Sequence, residues 1–127
     1  MIYGVGSDIV EIERIVKALE RFGDKFAQRI LCPPELARFA DHRQRANYLA
    51  KRFAAKEAFT KALGTGVHAP ANWHGVWVKN LPSGKPVLQF TDALGALLKA
   101  RGVTNSHLSL SDERGMALAT VILECEK

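Results

Sequence analysis

The sequence predicts an α+β fold in which helices from the N-terminal half pack on an antiparallel sheet. The chain has 127 residues, of which 47% are hydrophobic and 24% charged, as in ordinary globular proteins, and it is expected to form a single domain over residues 1–127. Apolar residues recur at helical spacing through most of residues 11–63. From residue 74 onward, short apolar runs separated by turn residues indicate strands.

The N-terminal segment predicts a strand followed by an amphipathic helix. Residues 1–7 favour a short strand ending near Asp8, in which Gly4 and Gly6 leave room for another backbone or a ligand. From Glu11 the apolar period becomes helical, and Gly23 ends the run. A strand and then a helix are therefore expected before residue 24.

Three further helices are predicted before residue 65. A short helix is expected to start with Asp24 as its N-cap, and "CPPELARF" indicates a helix that opens with proline at its first position. The longest helix is predicted over about 45–63, with Gly64 as its C-terminal stop.

The C-terminal half predicts two pairs of strands around one helix. "HGVWVKN" and "PVLQF" flank turn residues and indicate a hairpin, after which Thr91 can cap a helix that ends at Gly102. "SHLSLSD" alternates strictly, whereas "MALATVILEC" is apolar on both faces. The latter pattern is typical of a central strand.

Composition narrows the class of protein. The formal net charge of +5 favours an acidic or phosphorylated partner without saying which. Cys32 and Cys125 match no metal-site spacing and are expected to be free thiols in a reducing compartment. No signal peptide or apolar run of membrane-spanning length is recognised, so a cytoplasmic protein is expected.

The stretch "RFAAKEAFTKALGTG" places the charges of Lys56, Glu57 and Lys61 on a helix of small and aromatic residues. Glu57 and Lys61 could simply form an i,i+4 ion pair on a solvated face, worth about 0.2–0.5 kcal/mol. Alternatively, the small neighbours admit a ligand, and the carboxylate, the ammonium and the glycine turn suit a phosphorylated substrate with Mg²⁺. The turn comprises Gly64, Thr65 and Gly66.

Asp8 is a second candidate ligand for Mg²⁺, since this ion on a phosphate group typically takes only one or two protein carboxylates. The alternative for Asp8 is the N-cap of the following helix. A dinucleotide-binding loop is excluded because Ile9 stands where a third glycine would be required, and there is no Walker motif.

Together these segments resemble the small trimeric class of 4′-phosphopantetheinyl transferases, the holo-acyl-carrier-protein synthases. "GVGSDIVEIERI" resembles the N-terminal signature of that family, and "RFAAKEAFTKALGTG" resembles its second signature. "GKPVLQF" and residues 106–124 resemble its C-terminal half. One departure is Asp112, where many relatives have histidine, so no ligand role is given to that position.

The resemblance implies a fold, a reaction and a set of site residues. The fold is that of the 4′-phosphopantetheinyl transferases, and the reaction moves 4′-phosphopantetheine from coenzyme A to a serine of apo acyl carrier protein, in support of fatty acid biosynthesis. Asp8 and Glu57 would hold Mg²⁺, Lys61 would neutralise phosphate charge, and either carboxylate could accept the serine proton. Lys56 would contact the substrate or serve as a structural charge. The remaining coenzyme contacts implied are Gly64, Thr65, Gly66, Pro86, His107 and Ser109, the last two of which could instead lie at the trimer contact.

A basic stripe on the first helix is the expected docking surface for the acidic carrier protein, because complementary charge speeds encounter. It comprises Arg14, Lys17 and Arg21 and continues beyond the helix to Lys25, with Phe22 as an apolar contact at the end of the helix. The resemblance also implies a homotrimer with active sites between subunits. Two other functions remain open from the sequence: a small basic module that binds nucleic acid, and an inert relative that only binds the carrier.

Overall fold

The computed structural model describes residues 1–126 and has the predicted α+β architecture. The N-terminal half holds β1 (Ile2–Glu11), α1 (Ile12–Phe22), α2 (Asp24–Ile30), α3 (Pro33–Ala40) and α4 (Arg45–Leu63). The C-terminal half holds β2 (Val76–Asn80), β3 (Pro86–Phe90), α5 (Asp92–Ala100), β4 (Val103–Glu113) and β5 (Met116–Cys125). None of the helices within the described residues combines the length and apolar character needed to cross a bilayer.

The main sheet has the strand order β1-β5-β4, with both pairs antiparallel, and β2 and β3 form a separate antiparallel hairpin. The prediction that the C-terminal strand is central is therefore confirmed. Helix α4 packs on the inner face of the main sheet, where Ala117, Ala119, Val121 and Leu123 of β5 are fully buried. Small side chains on β5 let the long helix approach closely.

Two element boundaries differ from the prediction. Strand β1 continues three residues beyond Asp8 because its pairing with β5 runs on to Glu11, which stands opposite Met116. Asp8 thus lies inside the strand, and Glu11 rather than Asp8 is the N-cap of α1. Likewise Asp24 is the first residue of α2, since Gly23 occupies the N-cap position with φ 65°. The bounds of α4 and its left-handed cap at Gly64 are as predicted.

The glycines of β1 allow the strand to lie directly against α4. A Cβ added at Gly6 would stand 1.9 Å from the carbonyl oxygen of Ala58, and one added at Gly4 would stand 2.0 Å from that of Ala62. Both distances are far below any van der Waals contact, and both involve backbone atoms that cannot turn away. The glycines thereby set the separation between the strand that carries Asp8 and the helix that carries Glu57.

Gly6→Ala is expected to destabilise the protein by about 3 kcal/mol or more, because the added methyl group must push β1 away from α4. Gly95→Ala is the matched control: nothing lies within 4 Å of its added Cβ, and it stands inside helix α5. Alanine there should stabilise by up to about 1 kcal/mol. Urea unfolding of both variants measures the two changes, and a Gly6→Ala protein as stable as the parent would contradict the close-packing argument.

Candidate functional site

The centre of the candidate site is an ion pair between β1 and α4. Lys61 Nζ lies 3.0 Å from Asp8 Oδ1 and donates a second hydrogen bond of 3.0 Å to the carbonyl oxygen of Ser7. The Asp8 side chain is only 17% exposed, whereas that of Lys61 is 53% exposed. The Asp8 carboxylate is thus largely buried, whereas the ammonium group of its partner Lys61 still reaches solvent.

Glu57 lies beside this pair, one helical turn before Lys61. The pKa of Glu57 is raised above the ordinary range of a glutamate, first because the group is partly buried and second because the Asp8 carboxylate is near, while Lys61 acts in the opposite direction. The i,i+4 ion pair between Glu57 and Lys61, one of the two alternatives left open by the sequence, does not form within the described chain, where Lys61 bonds to Asp8 instead. Two carboxylates are therefore brought together with a single ammonium group as counter-charge.

This donor set fits a hard divalent cation. Carboxylate oxygens are preferred ligands of Mg²⁺, which typically uses one or two of them and completes its coordination with water and phosphate oxygens. No cluster of three or more His, Cys, Asp or Glu side chains occurs within residues 1–126, so a cation here would rest on Asp8 and Glu57. The pKa of Glu57 is raised by its partial burial first and by the nearby Asp8 carboxylate second, and a bound cation would favour the ionised form of both carboxylates.

The predicted glycine turn follows directly on this cluster. Gly64 caps α4 in the left-handed conformation with φ 86°, and Gly66 also has positive φ, at 67°. Thr65 between them is half-buried. The turn begins three residues after Lys61, so the structure brings it to the same end of α4 as the ion pair.

Lys56 lies elsewhere, inside the protein. Its side chain is 1% exposed, and Nζ donates to Glu35 Oε1 at 2.8 Å and to the carbonyl oxygens of Ile30 and Trp73 at 2.6 and 2.7 Å. Glu35 is equally buried and also accepts from the backbone N–H groups of Cys32 and Val78, both at 2.9 Å. Three oxygen acceptors match the three N–H donors of an ammonium group. Of the two roles left open for Lys56, this placement favours the structural one.

A basic pocket that sequence reasoning missed lies on the other side of α4. This cavity of about 670 Å³ is lined by Arg38, His42, Tyr48, Lys51, Arg52, Lys79, Asn80, Leu81, Pro82 and Gly84. Arg52 is 5% exposed; its Nη2 donates to Asn80 Oδ1 at 2.7 Å, and its Cζ lies 4.0 Å from the centre of the Tyr48 ring. Burial lowers the pKa of Arg52. Arg52 belongs to the quoted signature, but its burial depends on contacts with the β2–β3 hairpin that spacing along the helix does not reveal.

The buried Nε of Arg52 has no hydrogen-bond partner among the described residues. Buried polar groups are nearly always satisfied, and an unsatisfied guanidinium N–H is costly. Guanidinium groups form charge-assisted, often bidentate hydrogen bonds with phosphates and carboxylates. The pocket therefore has the chemistry of a phosphate site.

The remaining predicted coenzyme contacts are dispersed in a single chain. Pro86 begins β3, and its hairpin loop lines the basic pocket through Leu81, Pro82 and Gly84. His107 and Ser109 are exposed on the outer face of the main sheet, opposite to α4, where His107 Nε2 lies 2.5 Å from Glu124 Oε1. That hydrogen bond lowers the pKa of Glu124. The structure thus brings together Asp8, Glu57, Lys61 and the glycine turn, but not these two residues.

The predicted docking stripe is open to solvent. Its four basic residues, Arg14, Lys17, Arg21 and Lys25, are all exposed. Phe22 is 55% exposed, with the Arg21 guanidinium 5.1 Å from its ring centre. Phe22, Lys25, Phe26 and Arg29 also surround a depression of about 320 Å³. A basic surface with an apolar hollow is suited to an acidic protein partner.

Comparison with known proteins agrees with this geometry. Residues 4–121 match the family model of the 4′-phosphopantetheinyl transferase superfamily. A holo-[acyl-carrier-protein] synthase of Vibrio parahaemolyticus is 54% identical over 97% of this chain and 98% of its own length. The crystal structure of holo-[acyl-carrier-protein] synthase from Neisseria meningitidis superimposes with a TM-score of 0.95 at 44% identity, covering 98% of this chain and 99% of that one. A Bacillus anthracis holo-(acyl-carrier-protein) synthase in complex with CoA (3′,5′-ADP) gives a TM-score of 0.82 at 36% identity, with 99% of both chains covered.

The chain therefore belongs to the 4′-phosphopantetheinyl transferase superfamily, an assignment that both the fold and the full-length identity support. Its curated relatives at 47–54% identity are holo-acyl-carrier-protein synthases, so within the superfamily the chain is an enzyme of that class.

Proposed function

We propose that this enzyme transfers 4′-phosphopantetheine from coenzyme A to a serine hydroxyl of apo acyl carrier protein, releasing adenosine 3′,5′-bisphosphate. The observation that carries the proposal is the convergence of Asp8, Glu57 and Lys61 between β1 and α4. Transfer of this kind consists mainly of positioning and of managing charge on phosphate oxygens. A carboxylate pair beside an exposed ammonium group supplies both.

Each residue of the cluster takes a distinct role in the proposal. Asp8 and Glu57 would hold Mg²⁺, which when bound neutralises charge on the pyrophosphate oxygens. Lys61, whose ammonium group reaches solvent, stabilises the negative charge that grows as the bond to the leaving bisphosphate breaks. We infer that Glu57, whose pKa is raised by partial burial and by the nearby Asp8 carboxylate, accepts the serine proton.

The basic pocket is proposed to bind phosphate groups of coenzyme A. In one chain, at about 100° per residue, its helical residues Tyr48, Lys51 and Arg52 point between about 120° and 180° away from Glu57. One coenzyme molecule is therefore poorly placed to reach both regions of the same chain. We infer that the pocket of one subunit serves the carboxylates of a neighbour.

A homotrimer with sites between subunits is consistent with the outer face of the main sheet. Val5 is 55% exposed, Ile9 59% and Leu118 40%; Ile9 stands directly opposite Leu118, and Val5 lies further along β1, opposite Ile122. Exposed apolar side chains grouped on one face of a sheet are typical of protein–protein interaction sites. A second copy covering this face would also bury His107 and Ser109 near the shared site. The acidic carrier protein is proposed to dock on the stripe of α1. The free thiols suit the reducing cytoplasm, and a role in fatty acid biosynthesis is proposed from the identity of the carrier-protein substrate.

The experiment that tests the proposed function combines the purified protein with apo acyl carrier protein, coenzyme A and Mg²⁺, and weighs the carrier by intact-mass spectrometry. The expected result is a mass gain of one phosphopantetheine that EDTA prevents. Binding of the carrier without a mass gain would indicate an inert relative. Salt-sensitive binding of nucleic acid without binding of coenzyme A would indicate the other alternative.

Replacing Arg52 tests the role of the basic pocket. Arg52→Met keeps an unbranched side chain but removes the guanidinium group, and it is expected to raise the KM for coenzyme A about tenfold or more through loss of a charge-assisted hydrogen bond. The KM for the carrier protein should stay unchanged, because the pocket lies away from the α1 stripe. Steady-state kinetics with each substrate varied in turn checks both values, and an unchanged KM for coenzyme A would remove Arg52 from the binding site.

A further inference from the structure

A charged cluster at the edge of the basic pocket has no role in the proposed reaction so far. Asp112, near the end of β4, accepts a hydrogen bond of 2.7 Å from Asn47 Nδ2, and its other oxygen, Oδ1, lies 3.5 Å from Lys51 Nζ. Asn47 and Lys51 are one turn apart on α4. The cluster therefore ties the β4 edge of the sheet to the N-terminal half of that helix.

Lys51 connects this cluster to the pocket. It is among the residues that line the cavity, and its side chain is 29% exposed, so its ammonium group is available to an anion that enters. Asp112, with 36% of its side chain exposed, is the only carboxylate of the described residues within ion-pair distance of Lys51. An incoming phosphate must therefore share Lys51 with a carboxylate that is already present.

Asp112 is anionic throughout the neutral range. The hydrogen bond from Asn47 lowers its pKa, and the charge of Lys51 lowers it further. The positively charged side chains of the pocket attract an anion, whereas a fixed carboxylate beside one of them weakens that attraction.

We propose that Asp112 is an internal counter-ion of Lys51 that limits how tightly the pocket holds the adenosine bisphosphate portion of coenzyme A. This inference rests on the proposed function. The bisphosphate is present in both the substrate and the released product, so tighter binding lowers the KM without accelerating transfer and slows release of the product. A carboxylate that competes for Lys51 weakens the binding of the bisphosphate, which the substrate and the product share.

The test is the Asp112→Asn variant, which removes the charge while its amide oxygen can still accept the hydrogen bond from Asn47. Calorimetric binding of adenosine 3′,5′-bisphosphate to the full-length protein is expected to tighten about twofold to fivefold relative to the parent. Glu113→Gln is the matched control, since it removes the same charge from the next position of β4, whose side chain faces the other way. Its affinity should match that of the parent.

A double variant shows whether the effect passes through Lys51. In a Lys51→Met background, Asp112→Asn is expected to leave the affinity for adenosine 3′,5′-bisphosphate unchanged. Weaker binding by Asp112→Asn, no change, or equal tightening in Glu113→Gln would each overturn the inference. If the parent protein itself does not bind the bisphosphate, the proposed coenzyme pocket fails and the inference fails with it, whereas a binding parent with an insensitive Asp112→Asn variant refutes the inference alone.

Discussion

Replacing Glu57 with glutamine is expected to lower phosphopantetheine transfer by about 10²–10³-fold or more, and Asp8→Asn should have an effect of the same order. Each change keeps the shape of the side chain but removes one of the two carboxylates that would hold Mg²⁺. The decrease should appear mainly in kcat, because the missing carboxylate would act on the phosphate oxygens and the serine hydroxyl, whose charges change in the transition state. Rates of mass gain on the carrier protein, measured at saturating coenzyme A, check the expectation.

The stability of the same variants shows whether inactivity comes from loss of the carboxylate or from loss of the fold. The pKa of Glu57 is raised in the folded protein, so the Glu57 carboxyl ionises more readily in the unfolded chain than in the folded one. The folded protein therefore loses stability as the pH rises through the raised pKa. Glu57→Gln removes this conflict, so the metal-free variant at neutral pH should melt no lower than the parent, and up to about 4 °C higher. The difference in melting temperature between the variant and the parent should shrink as the pH falls below the raised pKa, because Glu57 of the parent is then also uncharged. A variant that is inactive because it unfolds would melt lower, and full activity in either variant would remove that carboxylate from the metal site.

The element order and most boundaries follow from local pattern in the sequence. Helix α4 was predictable to within a residue because Gly64 adopts the left-handed cap that ends a helix, and β5 was predictable as the central strand because it is apolar on both faces. The end of β1 was not, since its last residues are held by pairing with β5, more than a hundred positions away along the chain. Local spacing carries no information about that partner.

The candidate site was predictable in part. Asp8, Glu57 and Lys61 stand in segments that resemble known signatures, and the structure brings them together, although Lys61 pairs with Asp8 rather than with Glu57. The basic pocket was not predictable, because it combines α3, α4 and the β2–β3 hairpin, which meet only in the folded chain. Lys56 shows the same limit: its place in a signature says nothing about whether its ammonium group faces a ligand or the core.

Replacing Lys56 with methionine is expected to destabilise the protein by about 3–5 kcal/mol, because it leaves the Glu35 carboxylate buried without its positive partner. The change also removes the bonds that Nζ makes to the carbonyl oxygens of Ile30 and Trp73. These bonds join α4 to the C-terminal end of α2 and to the segment before β2. Urea unfolding at one fixed protein concentration measures the loss, since association of subunits would make the midpoint depend on concentration.

Two comparisons distinguish this structural role of Lys56 from a contact with the coenzyme. Removing both charges, in Lys56→Met with Glu35→Leu, should be less destabilising than the sum of the single changes, because neither charge is then left alone. Lys99→Met, at an exposed position of α5, should change stability by no more than about 0.5 kcal/mol. Where folded protein is recovered, Lys56→Met should show a KM for coenzyme A close to that of the parent. A stable Lys56→Met protein with a raised KM would instead mean that Lys56 leaves the core and binds the substrate.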